Sequence, residues 1–323
     1  MAATFASRLV ENGPDACVAM PVARARAWAM QEAKASRENF SVLSAVLPPH
    51  LREDFAALYA YCRWSDDLAD EIADRERSRE LLSWWRHELD ACFNGSPRHP
   101  VFVALGPTIE RCDLPKPPFA KLLDAFEQDQ HVTRYQTWDQ LLAYCTGSAD
   151  PVGQLVLMIA GQPRTDAVFV CSNAICTALQ LTNHWQDVQR DILGRDRIYL
   201  PNELHSISDF DSRLLKSARQ GYAIDHTFLQ ETRELIRACV DRTWPLYQQG
   251  ERLLQMVSSD IRPVIWLFLA GGANILRKIE MWDYETALHR PRLNRAHKSW
   301  LVGRAWWMQR RSRNTVPAKS ASS

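Results

Sequence analysis

Glycine is scarce in this chain, with 12 in 323 residues, and strictly alternating apolar–polar stretches are rare. Those two shortages weigh against a sandwich, a barrel or any other mainly β architecture. No Cys-x-x-Cys pair occurs among the eight cysteines, at 17, 62, 92, 112, 145, 171, 176 and 239, which excludes a zinc ribbon and a thioredoxin-type centre. Scattered thiols of this kind are expected to be reduced and mostly buried, as in a cytoplasmic protein. Charge of one sign is also lacking. With 39 Lys and Arg against 38 Asp and Glu the formal net charge is +1, and a nucleic-acid partner is not expected. The first twenty residues have no basic segment followed by an apolar run, so they do not read as a secretory signal. The most apolar stretch, "PVIWLFLAGGANIL" (263–276), is shorter than the ~20 residues a bilayer requires. It reads as a core helix, which leaves open a peripheral contact with the inner membrane face. No GxGxxG fingerprint follows a strand-like run, which speaks against NADPH without excluding it.

What the chain does have is helical periodicity. "REDFAALYAYCRWSDDLADEI", "FAKLLDAFEQDQH" and "HTFLQETRELIRACVDRTWPLYQQGERLLQMV" carry apolar residues three and four apart. Proline and glycine punctuate them near 97–100, 113–118, 161–164 and 201–211. The expected fold class is all-α: many antiparallel helices in one domain at 25–295. A lead-in is expected at 1–24 and an extension at 296–323, with "RRSRNTVPAKSASS" at the end disordered. The twelve tryptophans are read as packing or surface residues, including the pairs Trp84–Trp85 and Trp306–Trp307.

Two segments break the apolar pattern with acid. In "CRWSDDLADE" Asp66 and Asp70 lie four apart, hence on one helix face, with Arg63 three residues before Asp66. In "CTALQLTNHWQDVQRDILGRDRIYLP" Gln180, Asn183, Asp187 and Asp191 fall at i, i+3, i+7 and i+11, one polar stripe on an apolar helix. The ordinary explanation is a solvated face. Against it, like charges four apart repel, and an unpaired buried carboxylate is costly. Two carboxylate pairs facing each other across a cavity would suit magnesium, a hard cation that takes a few carboxylates plus substrate phosphates. Arg195, Arg197 and Tyr199 follow at once, placed to meet phosphate oxygens; for Arg195 ordinary surface charge is an equal alternative.

These two segments, their order, their separation and the closing "RIYLP" resemble the aspartate-rich signatures of the squalene/phytoene synthase family, over about residues 25 to 295. The resemblance implies an isoprenoid-synthase bundle around a large central cavity and magnesium-dependent ionisation of a prenyl diphosphate. It implies metal positions at Asp66, Asp70, Asp187 and Asp191, and diphosphate or cavity positions at Arg63, Gln180, Asn183, Arg197 and Tyr199. Asp67 and Glu71 are acidic neighbours without an assigned role. Phe40, Tyr59 and Tyr144 are expected to line the cavity, Tyr144 with a part in the chemistry. "ENFSVLSAVLP" (38–48) and "YCTGSADPVGQLVL" (144–157) resemble the bacterial hopanoid-pathway branch, which includes the synthase that makes hydroxysqualene from presqualene diphosphate. Condensation of two farnesyl or geranylgeranyl diphosphates is the alternative within the family. A non-catalytic assembly subunit is the alternative outside catalysis. Four residues depart from the branch pattern: Ser41, Asp150, Gln154 and His184. His184 is either a packing histidine with its hydrogen bonds satisfied or a cavity residue that helps to place water.

Overall fold

A computed structural model of the chain describes residues 4–35 and 44–314. Phe40, Ser41 and most of the "ENFSVLSAVLP" segment lie outside the described residues. The order is α1 (Phe5–Asn12), α2 (Val22–Ala35), a 3-10 turn (Pro49–Leu51), α3 (Arg52–Asp70), α4 (Arg75–Phe93), α5 (Pro100–Cys112), α6 (Lys116–Gln128) and α7 (Trp138–Ser148). It continues with α8 (Asp150–Ile159), α9 (Asp166–Gln186), α10 (Val188–Arg195), a second 3-10 turn (Asn202–Leu204), α11 (Phe210–Gln220) and α12 (His226–Glu251). The last three are α13 (Leu253–Met256), α14 (Arg262–Met281) and α15 (Arg295–Asn314). Among the described residues no β-strand forms; a parallel bridge pairs Arg134 with Ile198.

The local rules place the helix ends. Asp74, Thr137, Thr165 and Asp225 each accept a backbone N–H of the first turn with their side chains, at the starts of α4, α7, α9 and α12. Gly221 ends α11 at φ 71°, a left-handed position that costs other residues more.

Packing then gathers two apolar centres. The first is aromatic. Trp64 and Trp85 stack at 5.7 Å with His99 and Phe102 against them, and Trp85 donates to Ser65 Oγ at 2.9 Å. The second surrounds Trp185, whose Nε1 donates to Thr243 Oγ1 at 2.9 Å, with Phe228, Leu181 and Ile236. Each such side chain, fully withdrawn from water, contributes roughly 1.5–3 kcal/mol or more. Helix α9 runs through the middle and packs on α8, α12 and α14. Its approach to α8 depends on Gly153, where a Cβ would stand 2.5 Å from Cys176 Sγ and 2.6 Å from Ser172 Oγ.

The lead-in residues pack onto this body. Phe5 meets Trp64 edge-on at 5.3 Å, and Arg8 bridges Glu32 and Asp67, each at 2.6 Å. At the other end, Arg310–Asn314, expected within a disordered tail, continue α15. The guanidinium groups of Arg310 and Arg311 lie 3.8 Å from the rings of Trp306 and Trp307, one turn back on the same helix. Residues 315–323 lie outside the described residues. All eight cysteines are free thiols. Among the described residues no helix is long and apolar enough to cross a membrane.

Candidate active site

A cavity of about 380 Å³ opens where the two apolar centres meet. That is the lower part of the range for small-molecule sites. Helix α3 presents Tyr59, Cys62, Arg63, Asp66 and Asp70 to it, spaced so that one helix face carries them all. Gln180, Asn183, His184 and Asp187 come from α9 and its end, and Asp191, Arg195, Arg197 and Tyr199 from α10 and the segment after it. Leu122, Phe126 and Val152 supply an apolar wall. Of the twelve residues given metal, diphosphate or cavity positions by the resemblance, eleven line this one cavity; the twelfth, Phe40, is outside the described residues.

The two acidic segments are joined directly. Arg197, buried, donates from Nη1 to Asp70 Oδ1 at 2.9 Å and from Nη2 to the Asp129 carbonyl at 3.1 Å. Arg195 reaches the other Asp70 oxygen at 2.7 Å and stands 3.7 Å from Asp191. Arg195 is therefore part of the site rather than ordinary surface charge. Asp67 does not line the cavity. It is buried between Arg8 and Arg63, the latter at 2.7 Å, and so orients Arg63.

The second segment departs from a continuous helical stripe. The helix breaks at Asp187 (φ −105°, ψ 15°), which separates α9 from α10. The cause lies about a hundred residues downstream. The Gln189 N–H, which would bond Trp185 in a regular helix, bonds the Thr286 carbonyl at 3.3 Å, and the Gln186 amide bonds the Pro291 carbonyl. The same downstream segment brings Arg290, which grips Asp187 in a forked contact through Nε and through Nη2, the latter at 2.9 Å.

Six carboxylates face the cavity (Asp66, Asp70, Glu71, Asp129, Asp187, Asp191) against four guanidinium groups (Arg63, Arg190, Arg195, Arg197). The imbalance appears in their proton affinities. Burial and then the neighbouring Asp187 push the Asp191 carboxyl up to about 7. Withdrawal from water and then Asp70 raise Asp66 above the usual carboxylate range. Burial likewise lifts Asp129 to about 7 despite the opposing pull of Arg197. Uncompensated negative charge on hard oxygen donors fits a divalent cation. Among the described residues no three His, Cys, Asp or Glu side chains converge as a closed metal cage. Two separated carboxylate pairs suit magnesium, which keeps waters and takes phosphate oxygens as its remaining ligands.

Behind the charges stands an aromatic layer. Tyr144 donates to Asp129 Oδ2 at 2.9 Å. Tyr199 stacks on His184 with centroids 3.6 Å apart, and on Tyr135 at 5.6 Å. His184 is thus packed, yet its buried Nε2 has no hydrogen-bond partner among the described residues. Burial, helped by Arg197, lowers its pKa to about 3, so the ring stays neutral. A space of about 10 Å³, the size of one water, adjoins His184, Asp191, Arg197 and Tyr199. Sequence reasoning missed Asp129 and Arg290. Asp129 ends a helix with no acidic partner four residues away, and Arg290 lies in a loop with no local pattern to mark it.

A family model described as squalene/phytoene synthase matches residues 33–297. The chain belongs to the squalene/phytoene synthase family. Within it, the hydroxysqualene synthase of Zymomonas mobilis is 35% identical over 170 residues, 52% of this chain and 56% of that protein. The phytoene synthase of Arthrospira platensis is 28% identical over 283 residues, 83% of this chain and 89% of that protein. The crystal structure of squalene synthase HpnC from Alicyclobacillus acidocaldarius superposes with a TM-score of 0.71 at 37% identity, covering 81% of this chain and 95% of that one. A dehydrosqualene synthase structure shares the fold at a TM-score of 0.74 and 21% identity. The chain is accordingly an isoprenoid-synthase bundle and an enzyme of this family.

Proposed function

We propose that this enzyme ionises presqualene diphosphate with magnesium and captures the resulting cation with water, giving hydroxysqualene and diphosphate. The observation that carries the reading is one cavity lined by carboxylates, arginines and apolar side chains together, in a chain 35% identical over 170 residues to a hydroxysqualene synthase.

Asp66, Asp70, Asp187 and Asp191 are the residues that would hold magnesium, which when bound neutralises charge on the diphosphate and acts as a Lewis acid there. Arg63, Arg195, Arg197 and Tyr199 orient the diphosphate oxygens, with the Arg guanidinium forks supplying paired donors. The carbon–oxygen bond breaks, and its electron pair leaves with the diphosphate. Leu122, Phe126 and Val152 keep bulk water from the cation, while the ring faces of Tyr59 and Tyr144 offset its charge. The cyclopropylcarbinyl cation then opens by breaking a ring bond, and one water adds its oxygen to the rearranged cation and gives its proton to the departing diphosphate. Gln180 and Asn183 add polar groups to the cavity wall.

A second reading, condensation of two farnesyl diphosphates, is favoured by one observation: the match to phytoene synthases spans more of the chain than the match to hydroxysqualene synthases. Purified protein is incubated with presqualene diphosphate or with farnesyl diphosphate, with and without magnesium and NADPH, and products are separated by chromatography. Hydroxysqualene from presqualene diphosphate, with magnesium and without NADPH, supports the first reading. Consumption of farnesyl diphosphate alone supports the second and sinks the first. No turnover of either, with unchanged product formation in cells carrying both Asp187→Ala and Asp191→Ala, would point to an assembly subunit.

A further inference from the structure

Helix α15 segregates charge. Over Arg295–Asn314 the sequence has six Lys and Arg and no acid, while the rest of the chain holds 33 basic and 38 acidic residues. One face of α15, Leu301, Ala305 and Gln309, is buried, and the helix packs on α14. The opposite face carries Trp300, Arg304, Trp307 and Arg311 at i, i+4, i+7 and i+11, a single outward stripe. Trp300 is 54% exposed and Trp307 50%, with Trp306 beside them at 43%. Each indole carries a guanidinium group: Arg304 lies 5.5 Å from Trp300, Arg311 3.8 Å from Trp307 and Arg310 3.8 Å from Trp306. Arg304 also lies 4.9 Å from the ring of Trp266 on α14, which extends the pattern onto the body.

Exposed indoles cost solvation in water and are at home at the level of lipid headgroups, where an apolar body and a polar N–H are both accommodated. Arginine beside them meets phosphate oxygens. We propose that the outward face of α15 is a docking surface for an anionic phospholipid bilayer. Charge complementarity names the occupant. The rest of the chain has an acidic excess, which repels an extended polyanion such as a nucleic-acid strand, whereas a planar bilayer meets this one helix face alone. No described helix can span a bilayer, so α15 lies on the surface with its indoles at the headgroups. The surface stands independently of the reaction proposed above. It would also bring the enzyme to where long-chain prenyl diphosphates partition.

The full-length protein is floated with vesicles of phosphatidylcholine alone or with about 30% phosphatidylglycerol, at the physiological ionic strength of about 0.15 M. Recovery with the anionic vesicles only, weakened as salt rises, is the expected result. Arg304→Gln with Arg311→Gln lowers the partition coefficient roughly 25-fold, about fivefold for each basic side chain. Trp300→Ala with Trp307→Ala also weakens binding and abolishes the blue shift of tryptophan fluorescence on vesicle addition. All four residues are exposed or outward, so thermal melting should be unchanged; Arg310→Gln, about fivefold weaker, serves if a double variant melts early. Equal recovery with both vesicle types, binding of the arginine variants within twofold of the parent, or displacement of vesicles by a single-stranded oligonucleotide would overturn the proposal.

Discussion

Asp150 offers a measurement that does not depend on the reaction. It is 5% exposed, at the first position of α8, and accepts a hydrogen bond from Thr177 Oγ1 at 2.9 Å. Burial raises its carboxyl from 3.8 to about 6, with Thr177 and then Lys121 pulling the other way. The folded state therefore binds this proton more tightly than the unfolded chain does. The associated stability is complete below pH 4 and is lost as pH rises through 6. Roughly two pH units correspond to about 3 kcal/mol. Asp150→Asn removes the penalty and keeps an oxygen for Thr177, but forgoes the interaction of a first-turn carboxylate with the helix dipole, about 0.3–1 kcal/mol. The expected net gain is about 2 kcal/mol at pH 8, a rise in Tm of roughly 4 °C. About half of it should remain at pH 5 and almost none below pH 4. Thermal melts of both proteins across that range decide the matter. A gain that does not vary with pH, or no gain at pH 8, would refute the burial argument.

Four further outcomes are expected. Asp187→Ala or Asp191→Ala should lower kcat on the order of 10²-fold or more with little change in melting, measured by product formation on the best prenyl diphosphate substrate. Arg290→Gln frees Asp187 from its forked partner, so magnesium should raise the Tm of that variant more than that of the parent; a smaller rise contradicts the competition between Arg290 and a cation for Asp187. Tyr144→Phe leaves the buried Asp129 without its hydroxyl donor and should cost about 1–2 kcal/mol in denaturant unfolding. Gly153→Ala places a methyl within 2.6 Å of Cys176 Sγ and Ser172 Oγ and should destabilise by about 1–3 kcal/mol, although alanine is the better helix former.

The parts of the structure that the sequence made legible are those governed by neighbours three and four residues apart. The helices, the α3 face bearing Arg63, Asp66 and Asp70, and the turn-spaced Gln180 and Asn183 all follow from that periodicity. Contacts that cross the chain were beyond it. Asp129 enters the site because Arg197, 68 residues later, bonds its carbonyl. Asp187 sits in a break rather than in a helix because Thr286 and Pro291 take up neighbouring backbone and amide groups. In sequence, the four-residue spacing pairs Asp70 with Asp66 and leaves Asp67 an acidic neighbour without a role. Only the fold reveals that Asp67 turns toward Arg8, 59 residues earlier, and Asp70 toward the cavity.

Those cross-chain pairs also explain how so acidic a cavity is stable without substrate. A buried carboxylate without a partner is several kcal/mol too costly to keep. Here Arg195 and Arg197 pair closely with Asp70, and Arg290 with Asp187, while the carboxylates of Asp66, Asp129 and Asp191 stand 3.4–3.8 Å from guanidinium groups and bind protons more tightly than free carboxyls do. Arginine does this better than lysine would, because its fork satisfies two oxygens at once and remains charged at any working pH. It is also the side chain best matched to a diphosphate. A diphosphate entering between α3 and α10 would recruit Arg195 and Arg197, and each arginine drawn to phosphate uncovers the carboxylate it had held. The resting ion pairs and the groups that would meet a diphosphate are then one set of residues, able to exchange partners across the cavity.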